Sequence, residues 1–184
     1  MAIRKVTRAL TPSYRRLIEA APFCAIATAG PEGLDCSPRG DLAGFVRIEN
    51  DSTLLLPERR GNNRVDTLRN LVHDPRSALL FLIPGIAETL RVNGRGVLSR
   101  NVDLCQSFAV SGKPPQVVIV FHIEAVYFQC AKAIVRSHLW DASRFLKPGD
   151  VPTGGAMLTD ATCGEEGGPE WDRALTARIQ STLY

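Results

Sequence analysis

The sequence predicts a mainly β protein of the α+β class: a small closed or split β-barrel of about six to seven antiparallel strands with flanking helices. Three observations predict it. Short apolar stretches alternate with tight-turn signals between residues 23 and 56. The longest β signal, QVVIVFHIEAVYFQ, comes late, at residues 116–129. Helical patterns are confined to the ends and the connections. A barrel suits so many short strands because closure removes exposed edges.

Thr11-Pro12-Ser13 begins a helix whose apolar side holds Leu17, Ile18, Ala20 and Ala21. Residues 23–28 (FCAIAT) read as a buried strand closed by the turn Gly30-Pro31-Glu32-Gly33. Residues 34–39 resume an extended chain, in which Pro38 suits a strand's end better than a central rung. Residues 45–49 alternate, Asn50-Asp51 turns the chain, and residues 53–56 form a further strand. From Asn63 the period changes: Val65, Leu68, Leu71 and Val72 predict one helical face, and Asp74-Pro75 ends that helix. Residues 77–83 (SALLFLI) read as a core strand followed by the turn Pro84-Gly85. Residues 89–98 form a longer strand in which Gly94 and Gly96 mark a bulge or a close backbone approach. Asn101 caps a short helix through Phe108. Along residues 116–129, Val118, Val120, His122, Glu124 and Val126 fall on one face, with Val117, Ile119, Phe121, Ile123 and Ala125 on the other. Residues 132–140 suit a helix or a bend, and residues 147–169, rich in Gly, Pro and acidic residues, read as a long loop. Trp171, Leu175, Ile179 and Leu183 line a final amphipathic helix. The expected organisation is one domain over residues 1–184, its core at about 20–140 and a loop plus C-terminal helix at 141–184.

Composition agrees with a packed core. Of 184 residues, 45% are hydrophobic and 22% charged, which excludes a wholly disordered chain. No apolar run approaches the ~20 residues of a membrane span, and MAIRKVTRAL lacks a signal-peptide core. The expectation is a cytoplasmic protein with no membrane partner. A net charge of +3 and a pI near 8.7 fall short of a dedicated nucleic-acid domain. Arg59, Arg60, Arg64, Arg69 and Arg76 have no aromatic residues interleaved for base stacking, so no nucleic-acid partner is expected. Five cysteines without a CxxC exclude a zinc ribbon or disulfide scaffold, and no metal site is expected.

The densest polar constellation is Arg59-Arg60-Gly61-Asn62-Asn63-Arg64, between a strand and the start of a helix. A helix start offers unpaired N–H groups, and guanidinium and amide side chains beside it suit a phosphate. The plain alternative is a solvated basic loop with an asparagine as helix cap. Arg39 at a strand end, which could instead pair with Asp41, follows. Arg91 inside an apolar strand and the group Lys132, Arg136 and His138 complete the candidates. His73, His122 and His138 are scattered, and no Ser-His-Asp order, HExxH motif or carboxylate pair occurs. A His122–Glu124 pair on one strand face is read as structural. No catalytic side chain is identified, so chemistry would come from a bound cofactor.

Four segments then become familiar together: FCAIATAGPEGLDCSPRGD, LLLPERRGNNRVDTLRNLVHDPRSALLFL, ETLRVNGRGVLS and VYFQCAKAIVRSHLW. Over about residues 20–140 the chain resembles the pyridoxamine 5′-phosphate oxidase-like superfamily of FMN-binding split β-barrels, and more narrowly a bacterial branch of FMN-dependent enzymes. The resemblance implies FMN bound at the interface of a homodimer. It implies that Arg39, Asn62, Asn63 and Arg64 hold the FMN phosphate. Leu55, Leu56 and Pro57 would pass backbone groups to the flavin ring, with Glu58 and Arg59 as cofactor neighbours. Leu90 and Arg91 occupy the strand that reaches the flavin; Leu90 departs from the Gln common in the oxidases. Phe128, Gln129, Lys132 and Arg136 would close on the flavin, commonly from the partner chain. The implied function is an FMN-dependent oxidoreductase that acts on a small-molecule substrate by hydride transfer through flavin N5. The alternative is a non-catalytic flavin-binding or redox-sensing module. The oxidases proper end in paired basic residues around a His, whereas this chain ends in GGPEWDRALTARIQSTLY, so vitamin B6 oxidation is not expected. Residues 147–169 would serve as a lid or a dimer-wrapping arm.

Overall fold

The computed structural model describes residues 5–61 and 64–184, which fall into two compact units. The first runs to Arg59 and again from Arg64 to Trp140; the second joins residues 60–61 to residues 141–184.

In the first unit, Thr11 caps helix α1 (Pro12–Ala20) by accepting from the Tyr14 amide at 3.2 Å. Strands β1 (Phe23–Gly30) and β2 (Gly33–Gly40) form a hairpin, with Gly33 at a φ of +122° that residues bearing a Cβ rarely adopt. Strands β3 (Arg47–Asn50) and β4 (Thr53–Pro57) form a second. Helix α2 (Asp66–His73) leads to β5 (Arg76–Leu82) and β6 (Thr89–Ser99). Helix α3 (Val102–Ser107), β7 (Val118–Gln129) and helix α4 (Lys132–Ser137) complete it. Asn101 caps α3 by accepting from the Leu104 amide at 2.9 Å.

All pairings are antiparallel, in the strand order β2-β1-β5-β6-β7-β4-β3. Pro38 is tolerated because β2 is an edge strand. The sheet curls until its two ends face each other. Among the described residues no ladder joins them; ion pairs from Arg39 of β2 and from Asp41 just past it to the chain leaving β4 bridge the gap instead. That open seam makes the barrel split. Ile26, Leu79, Phe81, Val92, Ile119 and Phe121 fill the interior with Tyr14 and Ile18 of α1. Leu55 and Val118 face the other way, under Cys105 and Phe108 around α3. Strand β4 is therefore covered on both faces, which explains its unbroken apolar run.

Three local expectations differ from the structure. The single alternation along β7 breaks at a bulge opposite Asn93 and Gly94. Ile119, Phe121 and Ile123 point inward, but beyond the bulge Val126 takes over that role, and Glu124 pairs with Arg95 at 2.8 Å rather than with His122. A Cβ on Gly94 would overlap the His122 carbonyl and the Phe121 ring, so the glycine is the close approach that the bulge requires. Helix α2 begins at Asp66 and buries Thr67, Asn70 and Leu71, leaving Val65 and Val72 exposed. Leu68 and Leu71 pack on the core as the pattern expects, while Thr67 and Asn70, with polar partners on β1 and β2, are buried in place of Val65 and Val72.

In the second unit, the segment read as a loop contains helix α5 (Gly154–Ala161), followed by α6 (Gly168–Thr182). The Thr153 hydroxyl and the Gly155 amide both donate to Asp172, at 2.6 and 2.7 Å. A Cβ on Gly154 would press on Trp171 at 2.8 Å, and one on Gly155 on the Gly168 carbonyl at 2.5 Å. These glycines are packing contacts between helices rather than loop breakers. No helix among the described residues is long and apolar enough to cross a membrane.

Candidate anion site at the barrel seam

The alternation of β2 puts Asp35, Ser37 and Arg39 on its inner side, opposite Thr28, Ile26 and Cys24 of β1. Helix α2 packs on this pair of strands. Its buried Asn70 donates to the Thr28 hydroxyl at 3.1 Å, in a space that a Cβ at Gly30 would fill. This anchor brings Thr67, in the first turn of α2, over β2.

Arg39 is the hub. Its Nη2 donates to the Thr67 hydroxyl at 3.1 Å, its Nε to a Glu58 carboxylate oxygen at 3.1 Å, and its Nη1 to the Pro38 carbonyl at 2.9 Å. Thr67 donates onward to Asp35 at 2.6 Å, and Ser37 donates to the same carboxylate at 2.9 Å. The Arg39 and Glu58 side chains are only 15% and 19% exposed. Burial pushes the Glu58 carboxyl up from its ordinary value, against the opposing pull of Arg39. Beside Arg39, burial pushes the Cys24 thiol up to about 12, so it is a neutral filler and no nucleophile.

A second ion pair mirrors the first. Arg59, from the β4 side, donates to Asp41, from the β2 side, at 2.9 Å. Arg59 also donates to the Phe108 carbonyl at 2.8 Å, and the Arg47 guanidinium lies 3.8 Å over the Phe108 ring. Arg39 therefore pairs across the seam with Glu58, and Asp41 pairs with Arg59 instead of Arg39. Arg59 ties the chain after β4 to the end of α3.

At the start of α2, Val65 provides no side-chain cap, and Arg64 pairs with Asp66 at 2.8 Å. Asn62 and Asn63, expected at the phosphate, lie outside the described residues. The first-turn amides of α2, which Val65 does not cap, and the Arg39 guanidinium form a donor set that fits a phosphate, with the Thr67 hydroxyl, which donates to Asp35, accepting from Arg39 and fixing it over the helix start. Thr67, Asp35 and Ser37 had escaped the sequence reading, and Asp41, considered there as a partner of Arg39, pairs with Arg59. The signal for Asp35 and Ser37 was their i, i+2, i+4 spacing with Arg39 on one strand face.

The other expected residues lie on β4, β6, β7 and α4. Leu55 and Leu56 are buried on opposite faces of β4, and Pro57 pairs with Val118. The ladder from β3 covers β4 only as far as Leu55, so it stops short of Leu56 and Pro57. Leu90 is in the core. Arg91, its neighbour, faces outward, with its Nη1 donating to the Tyr127 hydroxyl at 3.4 Å. In the amide orientation that its neighbours require, Gln129 accepts from Arg91 at 3.2 and 3.3 Å. Phe128 carries the Lys5 ammonium 4.3 Å above its ring. Lys132 and Arg136 are exposed on α4. Arg39 and Arg91 thus lie on opposite faces of the sheet, with β1 and β5 between their strands.

A family model described as pyridoxamine 5′-phosphate oxidase matches residues 10–130. No curated protein matches the chain closely enough to be called a relative. Among solved structures, HupZ from Group A Streptococcus is similar with a TM-score of 0.54 and 17% identity, over 65% of this chain and 93% of that one. A candidate pyridoxamine 5′-phosphate oxidase from Lactobacillus delbrueckii is similar with a TM-score of 0.51 and 19% identity, over 66% of this chain and 95% of that one. At these identities the likeness is one of fold.

Proposed function

The chain belongs to the pyridoxamine 5′-phosphate oxidase family, and on that premise we propose that it is an FMN-dependent oxidoreductase acting on a small-molecule substrate. The observation that carries the reading is the donor set at the seam, where Arg39, held by the Thr67 hydroxyl, meets the start of α2 that Val65 does not cap. These groups would hold the phosphate, with Arg64 at the same helix start. The resemblance adds Asn62 and Asn63. Leu56 and Pro57, beyond the end of the β3 ladder, would offer a backbone edge to the flavin ring. Bound FMN supplies hydride transfer through its N5 position. The chain's part is to fix the phosphate and the ring and to keep water from one side.

The same reading includes a homodimer. Arg91 and Gln129 face away from the seam of their own chain, so they would approach a flavin only from a second copy. The outer face of β1 and β2 also exposes Phe23 and Leu34, which suits a covered surface.

The double substitution Arg39→Ala with Arg64→Ala tests the reading. The expected outcome is that purified wild type retains FMN through dialysis, while the double variant keeps its fold by circular dichroism and loses the flavin. A double variant that retains FMN at full occupancy would overturn the phosphate assignment.

A further inference from the structure

The charges at the seam do not add up to a simple anion site. Arg39, Arg59 and Arg64 are matched there by Asp41, Glu58 and Asp66, each in an ion pair, and Asp35 joins through Thr67. A phosphate dianion would enter a cluster whose described charges already include four carboxylates. Three of the four have other fixed roles. Asp35 accepts from Ser37 and Thr67, Asp41 holds the Arg59 clamp, and Asp66 pairs with an exposed arginine at the helix start. Glu58 is different. It sits on the guanidinium that the phosphate needs, through Nε at 3.1 Å and again through Nη2 at 3.1 Å. Every nitrogen of Arg39 has a partner, so a phosphate gains a two-pronged contact with it only where Glu58 leaves.

We propose that Glu58 is a resident competitor for the phosphate position: its carboxylate holds Arg39 until a phosphate dianion displaces it. The inference rests on the flavin-phosphate reading above and makes Glu58 a specificity-determining residue rather than a ligand of the cofactor. A monoanion exchanges one singly charged partner of Arg39 for another and gains little. A dianion gains the second charge, so the competitor favours phosphomonoesters over carboxylates. No bond forms or breaks; the carboxylate moves off the guanidinium as the phosphate arrives.

The experiment compares wild type, Glu58→Gln and Glu58→Asp, each shown to be folded by its thermal transition, in titrations with FMN and with riboflavin. Removing the competing charge should tighten FMN binding by about tenfold in Glu58→Gln, with riboflavin unchanged. Glu58→Asp, which keeps the charge, should stay close to wild type. Weaker or equal FMN binding in Glu58→Gln would overturn the proposal, since a carboxylate that hydrogen-bonds the ligand would weaken it when replaced. If neither wild type nor variant binds FMN, the flavin reading fails, and inorganic phosphate becomes the probe. Greater thermal stabilisation of Glu58→Gln than of wild type by phosphate then still supports the competitor, and equal stabilisation overturns it.

Discussion

Arg39 engages three partners at once, and its loss leaves Glu58 buried without a counter-charge. Arg39→Ala should lower stability by about 2 kcal/mol near neutral pH. The sign of the pH dependence follows from the carboxyl. Burial already raises the folded value of Glu58 above its ordinary one, and the Arg39 guanidinium is the main influence opposing that rise. Without Arg39 the folded value rises further. A carboxyl raised by folding contributes stability below its unfolded pKa, about 4.3, and loses it as pH climbs through the folded value. The deficit of Arg39→Ala relative to wild type should therefore grow as pH climbs above the unfolded value and through the folded one, and Arg39→Ala with Glu58→Gln should remove that growth. Urea midpoints across this range check it; a deficit independent of pH would contradict the account. At this scale the sequence was only half legible. Arg39 stood out by its place after a strand. Its true partner, Glu58, lies 19 residues away, and only the curl of the sheet reveals the pairing.

Elements were more legible where local signals were strong. The caps at Thr11 and Asn101, the hairpin turns and the apolar run of β5 all follow from short-range chemistry. Misread elements were those decided by a distant neighbour. Helix α2 keeps Leu68 and Leu71 on the core but turns Thr67 and Asn70 inward beside them, because Asn70 finds Thr28 and Thr67 finds Arg39 and Asp35. Helix α5 forms in a Gly-rich stretch because Asp172 receives both its cap hydroxyl and its second amide. The bulge on β7 belongs with these, since Gly94 on the neighbouring strand permits it. Gly94→Ala should cost about 3 kcal/mol, because the new methyl meets backbone rather than a flexible side chain. Gly61→Ala, into open space, should stay within about 0.5 kcal/mol. Chemical denaturation of both variants checks the contrast, and equal values would contradict the close approach.

On the scale of the molecule, the barrel was legible because strand count and turn spacing constrain an antiparallel sheet strongly. The seam was not, because a split leaves no mark in periodicity; it is bridged by two reciprocal ion pairs, Arg39–Glu58 and Asp41–Arg59. That seam is where the proposed flavin phosphate sits, and the residues that would complete the site lie on the far face of the sheet. Cofactor and second copy therefore stand or fall together in this account. Sedimentation velocity of the freshly purified protein, followed at both the protein and the flavin absorption bands, tests them directly, with the released chromophore identified by mass. The account predicts one boundary at the mass of a dimer, with flavin absorbance moving in it and FMN released on denaturation. A colourless monomer that takes up no added FMN would contradict it.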